Sequence, residues 1–290
     1  MKLRTRWLLF CAVCCLSLWA APAALAANAC RAHWVAAWAG VPSDASQGTD
    51  IADAFAPSGE NSPGNVKQPV NNASVRALLT PSVGGSLVRV HLSNRFGSVP
   101  VTFARTSIGK QSSGADLAGP PVAVTFRGKP SVTVPPGKDV VSDQVAFSYA
   151  AFKNLAVSTY VSGDVGKATE HYTARQRSYF TTSGAGDHTG DKDGSAYSLH
   201  NSTRPFVTGL DIRTSKPLGS VVAFGDSITD GYQGQPAGVP ETAEGLDANG
   251  RYPDVLGRRL RAAKLPLSVV NTGISGNRVL RDGGVGNSNR

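Results

Sequence analysis

Histidine gives out early in this chain of 290 residues: His200 is the last of five, and none follows it up to Arg290. Cysteine is scarcer still. Cys11, Cys14 and Cys15 fall within the first 26 residues, so Cys30 alone remains in the rest. It is either unpaired or bonded to a partner beyond residue 290. No Cys/His cluster has the spacing of a ligand set, so no metal or cofactor is implied. Positive charge is present but unfocused. The formal net charge is +9, yet Lys and Arg are scattered and aromatic residues do not interleave with them. A nucleic-acid face would want clustering, and the charge is read as aiding solubility, with mild attraction to anionic surfaces. Long apolar runs are missing too: nothing after the first 26 residues approaches the roughly 20 residues of a membrane-spanning helix.

Those 26 residues stand apart. Lys2, Arg4 and Arg6 precede an apolar stretch from Trp7 to Leu18, and Ala24, Leu25 and Ala26 form a small-residue cleavage pattern. This is the grammar of a secretory signal peptide, which predicts export and an extracellular or periplasmic location.

Two further regions are predicted, 32–213 and 219–290. The first holds short alternating runs between Gly, Pro, Asn, Asp and Ser: 86–93, 122–127, 131–134, 140–148, 155–161 and 206–212. In SLVRVHLS, Val88, Val90 and Leu92 share one face while Arg89 and His91 take the other, the period of a half-buried strand. Many such strands with little helical periodicity predict an antiparallel β-sandwich or jelly roll. Segment 86–212 is expected to fold alone, and 40–65 and 182–202 read as long exposed loops.

After a linker at 213–219 the pattern becomes strand, loop, helix, strand. Residues 220–224 form an apolar run expected to be buried on both faces. Residues 252–263 are amphipathic, with Pro253 suited to a first turn and Val255, Leu256 and Leu260 on one face. Residues 265–271 form a second apolar run. This predicts the opening βαβ of a parallel, flavodoxin-like α/β domain.

Ser227 sits where the first run breaks, in GDSITDG at 225–231. Gly225 permits a tight turn, and the carboxyl end of a parallel strand is where open α/β sheets hold ligands. A nucleophilic serine needs such exposure, a base, and donors for the oxyanion. Asp226 is expected to steady the loop through local N–H groups, and Thr229 and Asp230 to cap or start the next helix. The stretch lacks the second glycine of a G-x-S-x-G elbow.

The pair GDSITDG at 225–231 and NTGISGN at 271–277, each after an apolar run, resembles the first two blocks of the SGNH, or GDSL, family of serine esterases and lipases. WVAAW at 34–38 and LSNRFG at 92–97 look like parts of the β-rich domain that precedes the hydrolase in some secreted bacterial members. The resemblance implies Ser227 as nucleophile, its N–H as one oxyanion donor, and the N–H of Gly276 as the second. It also implies an asparagine and an Asp-x-x-His pair downstream of the second block. Residues 279–290, VLRDGGVGNSNR, contain neither. None of His33, His91, His171, His188 and His200 has an aspartate three residues before it. The expectation is therefore an amino-terminal portion of a longer esterase or lipase, weakly active or inactive as it stands, with a small-molecule or polysaccharide ester as substrate. The alternative is a non-catalytic extracellular module that binds carbohydrate or a surface, with Trp34, Trp38, Tyr172, Tyr179 and Tyr197 as stacking platforms.

Overall fold

The computed structural model describes residues 32–44, 70–166, 168–171, 174–231 and 246–278. Segment 1–26, where a leader is expected, Cys30, Tyr172 and segment 279–290 lie outside the described residues. In chain order the β-rich region runs β1 (His33–Ala39), β2 (Ser43–Asp44), β3 (Ala73–Leu79), β4 (Gly85–Asn94), β5 (Val101–Ser113), β6 (Asp116–Leu117), β7 (Val122–Val124) and β8 (Val132–Val134). It continues through β9 (Lys138–Val141), β10 (Val145–Tyr149), β11 (Leu155–Val161), β12 (Thr169–His171), β13 (Ser178–Phe180), β14 (Leu199–Asn201), β15 (Arg204–Pro205) and β16 (Val207–Thr214). One antiparallel sheet has the order β1-β16-β4-β10, with β9 also on β4. A larger one runs β14-β13-β3-β11-β5-β6, with β7 and β8 also on β5. Both contribute to a single apolar core: Val88, Val90, Leu92 and Leu210 from the first meet Val75, Phe103, Leu155 and Val157 from the second. Burial of such β-branched and aromatic side chains is the main favourable term in this region.

β4 has the predicted alternation. Val88, Val90 and Leu92 are buried, while Arg89 and His91 on the other face both contact the Asp211 carboxylate at 2.8 Å. β3 shows no alternation because every one of its seven residues is buried. Val75, Ala77 and Leu79 face the main core, and Leu78 belongs to a second small cluster with Tyr179 and Tyr197. Arg76 is fully buried and organises that second layer. It donates to Ser158 Oγ and to the carbonyls of Ala115 and Asp191, and lies 4.1 Å from the centre of the Tyr197 ring. The 182–202 stretch, expected to be an exposed loop, is thus partly packed, with Thr189 and Tyr197 buried.

Two expectations need correction. Run 140–148 is split into β9 and β10, and run 122–127 keeps its strand only over Val122–Val124. Segment 86–212 is not a complete folding unit, because β1 pairs with β16, and β3 lies between β13 and β11.

The second region holds β17 (Gly219–Gly225), α1 (Ser227–Asp230), α2 (Tyr252–Ala262) and β18 (Leu267–Gly273). β17 and β18 pair in parallel with continuous register, from Gly219 opposite Leu267 to Gly225 opposite Gly273. α2 carries Pro253 in its first turn, and Asp254 accepts from the Arg251 N–H and guanidinium. Its inward residues are Pro253 and Gly257, whereas Val255 is exposed. A Cβ on Gly257 would meet Ser82 and Phe152 of the β-rich region at 3.3–3.5 Å, so glycine permits a close approach there.

The parallel pair docks on β1 and the turn after β3. β1 is irregular between Ala36 and Trp38, and the Ala36 carbonyl accepts from Ser268 Oγ (2.6 Å) and Ser220 Oγ (3.1 Å). Ser82 Oγ donates to the Val269 carbonyl and accepts from the Val269 N–H. β17 is not buried on both faces as expected. Val222 is 59 % exposed and Phe224 69 %, because β17 lies at the edge of the described sheet with no further strand or helix over that face among the described residues. No helix among the described residues is long and apolar enough to cross a membrane.

Candidate active site

Parallel pairing brings the two polar loops together. β17 and β18 end level with each other at Gly225 and Gly273, and the Ile274 N–H donates back to the Gly225 carbonyl at 3.1 Å. Ser227 and Gly276 therefore leave the same end of the sheet, two and three residues beyond a paired position.

Each turn has a local cause. Asp226 is the N-cap of α1, in extended conformation, and its Oδ1 accepts from the Ile228 N–H at 3.0 Å. Asp226 thus plays the expected loop-steadying part. Thr229 and Asp230 do not cap or start the helix; they form its end, closed by Gly231 at φ 105° with a Gly231 N–H to Ser227 carbonyl bond. Asn271 Nδ2 donates to the Thr229 carbonyl, and Thr272 Oγ1 to that of Ala223, so β18 side chains brace β17 and the Ser227 turn. Gly276 has φ 82° and is exposed. That conformation suits glycine.

Ser227 opens α1 half-exposed, and among the described residues nothing hydrogen-bonds its Oγ. No histidine among the described residues is bonded to it. His188 is tied to Asp191 (2.7 Å), His91 to Asp211, and His33 Nε2 to the Leu218 carbonyl. His171 does reach this region but contacts Asp230: Nε2 lies 2.8 Å from Asp230 Oδ1, and Nδ1 2.7 Å from the Val41 carbonyl oxygen. Asp230 Oδ2 accepts from the Ser275 N–H at 3.0 Å and from Ser275 Oγ at 2.8 Å. This buried knot joins three chain segments that no sequence spacing connects: 59 residues separate His171 from Asp230, and 45 separate Asp230 from Ser275.

The surrounding charge is mostly guanidinium. Burial, with Arg251 nearby, pushes Arg204 down to about 9, while Asp230 and Asp247 oppose that shift. Its group lies 4.6 Å from the centre of the Trp38 ring, a cation–π arrangement. Arg177 bonds Asp247 at 2.5 Å, fastening the segment before α2 to the β-rich region. Among the described residues no group of three or more His, Cys, Asp or Glu side chains gathers as a metal would need. The aromatic residues named as sugar platforms are poorly placed for that task. Trp38, Tyr179 and Tyr197 are buried, and Trp34 is half-buried with the Arg89 guanidinium over its ring.

The structure thus sets a serine at the carboxyl end of a parallel strand, with a glycine turn from the neighbouring strand at the same end of the sheet. Residues 221–287 match the family of GDSL-like lipases and acylhydrolases, and this part of the chain is a GDSL-like lipase/acylhydrolase domain preceded by a β-rich region. No curated protein matches the chain.

Proposed function

We propose that this chain carries the nucleophile of a secreted serine hydrolase acting on carboxylic esters. The β-rich region is read as a sandwich or jelly roll, and the second region as the opening of a flavodoxin-like SGNH α/β domain. The observation that carries the reading is the level ending of β17 and β18, which puts the turns of Ser227 and Gly276 side by side. In the reaction, Ser227 Oγ attacks the ester carbonyl carbon as its proton passes to a base. The N–H groups of Ser227 and Gly276 donate to the oxyanion. The tetrahedral intermediate then collapses, expelling the alcohol with a proton, and water releases the acid from the acyl-serine. The leader at 1–26 supports export, and the substrate is a small-molecule or polysaccharide ester.

The five histidines offer no base to Ser227. His171 is the nearest in chemistry, but its two nitrogens face the Val41 carbonyl and the Asp230 carboxylate rather than Ser227. The asparagine and Asp-x-x-His that the family resemblance implies are not found between Gly276 and Arg290. General acid–base assistance is worth about 10²- to 10⁴-fold, and an oxyanion donor about 10²- to 10³-fold. A polypeptide limited to these 290 residues is therefore expected to hydrolyse p-nitrophenyl acetate near the background rate, indistinguishably from its Ser227→Ala variant. Adding a segment that bears Asp-x-x-His should raise turnover, and Ser227→Ala in that longer chain should abolish it. Activity in the longer chain that survives Ser227→Ala would remove Ser227 from the mechanism.

A further inference from the structure

Asp230 is 2 % exposed, and a buried carboxylate is costly unless charge and hydrogen bonds compensate it. Its two oxygens divide the compensation. Oδ2 holds the N–H and hydroxyl of Ser275, the residue just before Gly276, while Oδ1 holds His171 Nε2. Asp230 itself lies three residues after Ser227 and ends the helical turn that Ser227 begins. One carboxylate thus ties the serine turn to the glycine turn. His171 belongs to β12 in the β-rich region, so the tie is anchored outside the hydrolase part of the chain. Val41 O is an acceptor and so is an ionised Asp230, and a ring placed between two acceptors is matched when it donates from both nitrogens. In that form it has no lone pair with which to accept a proton from Ser227.

We propose that His171 is a positioning residue: as an imidazolium it fixes the Asp230 carboxylate, which in turn fixes Ser275 and holds the Gly276 N–H beside Ser227. The inference rests on the hydrolase reading for what the Gly276 N–H does, and on geometry alone for how it is held. The β-rich region then serves the site directly, by setting a hydrogen-bonded His171 on a buried carboxylate that also feels Arg175 and Arg204.

The test uses the 290-residue chain labelled with ¹⁵N and needs no turnover. At neutral pH, His171 should show two ring N–H signals, the signature of an imidazolium that simple packing does not demand. In His171→Gln, which keeps only one donor for Asp230, the Ser275 amide should exchange with solvent about tenfold faster or more. The Val269 amide, bonded to Ser82 Oγ on the same docking surface, should change little. Asp230→Asn, close in shape but uncharged, should show the same confined rise and serves if the first variant undocks the two regions. A singly protonated His171 ring would overturn the proposal. So would Ser275 protection unchanged in both variants, or a rise shared equally with Val269 in both. Such a failure leaves the hydrolase reading standing, whereas an inert Ser227 in the longer, Asp-x-x-His-bearing chain would sink that reading without touching these exchange rates.

Discussion

Gly273 shows how much of this site depends on what a residue lacks. An added Cβ would lie 2.3 Å from the Asp230 backbone nitrogen and 2.8 Å from the Thr229 carbonyl carbon, both main-chain atoms that cannot swing aside. The end of β18 can therefore touch the nucleophile turn only through glycine. Gly273→Ala is expected to cost about 1–3 kcal/mol, the usual range for overpacking a close contact. Its urea midpoint should fall clearly below that of the parent; an unchanged midpoint would mean that the two turns are not pressed together. At this scale the sequence was readable where chemistry is local. The loop-steadying Asp226 and the placing of the Ser227 and Gly276 turns at one end of the sheet follow from the short motifs themselves. Asp230 was misread as part of a cap because its partners, His171 and Ser275, come from distant strands and leave no trace in spacing.

Elements were legible when one face was wet. β4 announced itself because Arg89 and His91 alternate with apolar residues; β11, buried along nearly its whole length, was legible only because turns bounded its run of seven. β3 was silent because cover on both faces erases the period of two. β17 misled in the opposite sense: an all-apolar run suggested two covered faces, and Val222 and Phe224 are open. The wet face of β4 also carries a testable charge. Partial burial works to raise the Asp211 pKa, but the hydrogen bond and charge of His91, together with Arg89, outweigh it and hold the carboxyl below its ordinary value of 3.8. A carboxylate depressed in the folded state adds stability above its unfolded pKa, and loses it as pH falls through the folded one. Asp211→Asn should therefore cost about 1–3 kcal/mol at pH 7, the range for a charged hydrogen-bonded group. The gap between variant and parent should close as pH drops below the ordinary carboxylate range. A gap that is constant with pH would show that Asp211 acts through shape alone.

For the molecule as a whole, the change of pattern near residue 213 was visible in the sequence, but the intimacy of the two regions was not. The linker at 215–218 is short and mostly exposed, as expected of a boundary. The contact beyond it is made of backbone carbonyls at an irregular point in β1, a serine on a turn, one buried pair and one partly exposed pair, none of which has a sequence signature. Ser268 and Ser220 bond the Ala36 carbonyl, Ser82 bonds Val269 twice, His171 meets Asp230, and Arg177 meets Asp247. Parting the regions would strand the Asp230 carboxylate without its His171 partner, and breaking a buried pair typically costs about 3–5 kcal/mol. It would also expose more of a piece that already presents Val222, Phe224 and Ile228 to water. Cutting the linker removes only the effective concentration it provides, on the order of millimolar for a short tether. A site-specific protease sequence inserted between Ser215 and Lys216 should therefore be cleaved readily, yet the two pieces should elute together in gel filtration at about 10 μM, well below that tether concentration. Urea should part them before the β-rich region unfolds, and His171→Gln should make the nicked pair separate at a lower urea concentration. Separate elution of the pieces in buffer alone would mean that the linker, rather than the interface, holds the hydrolase part in place.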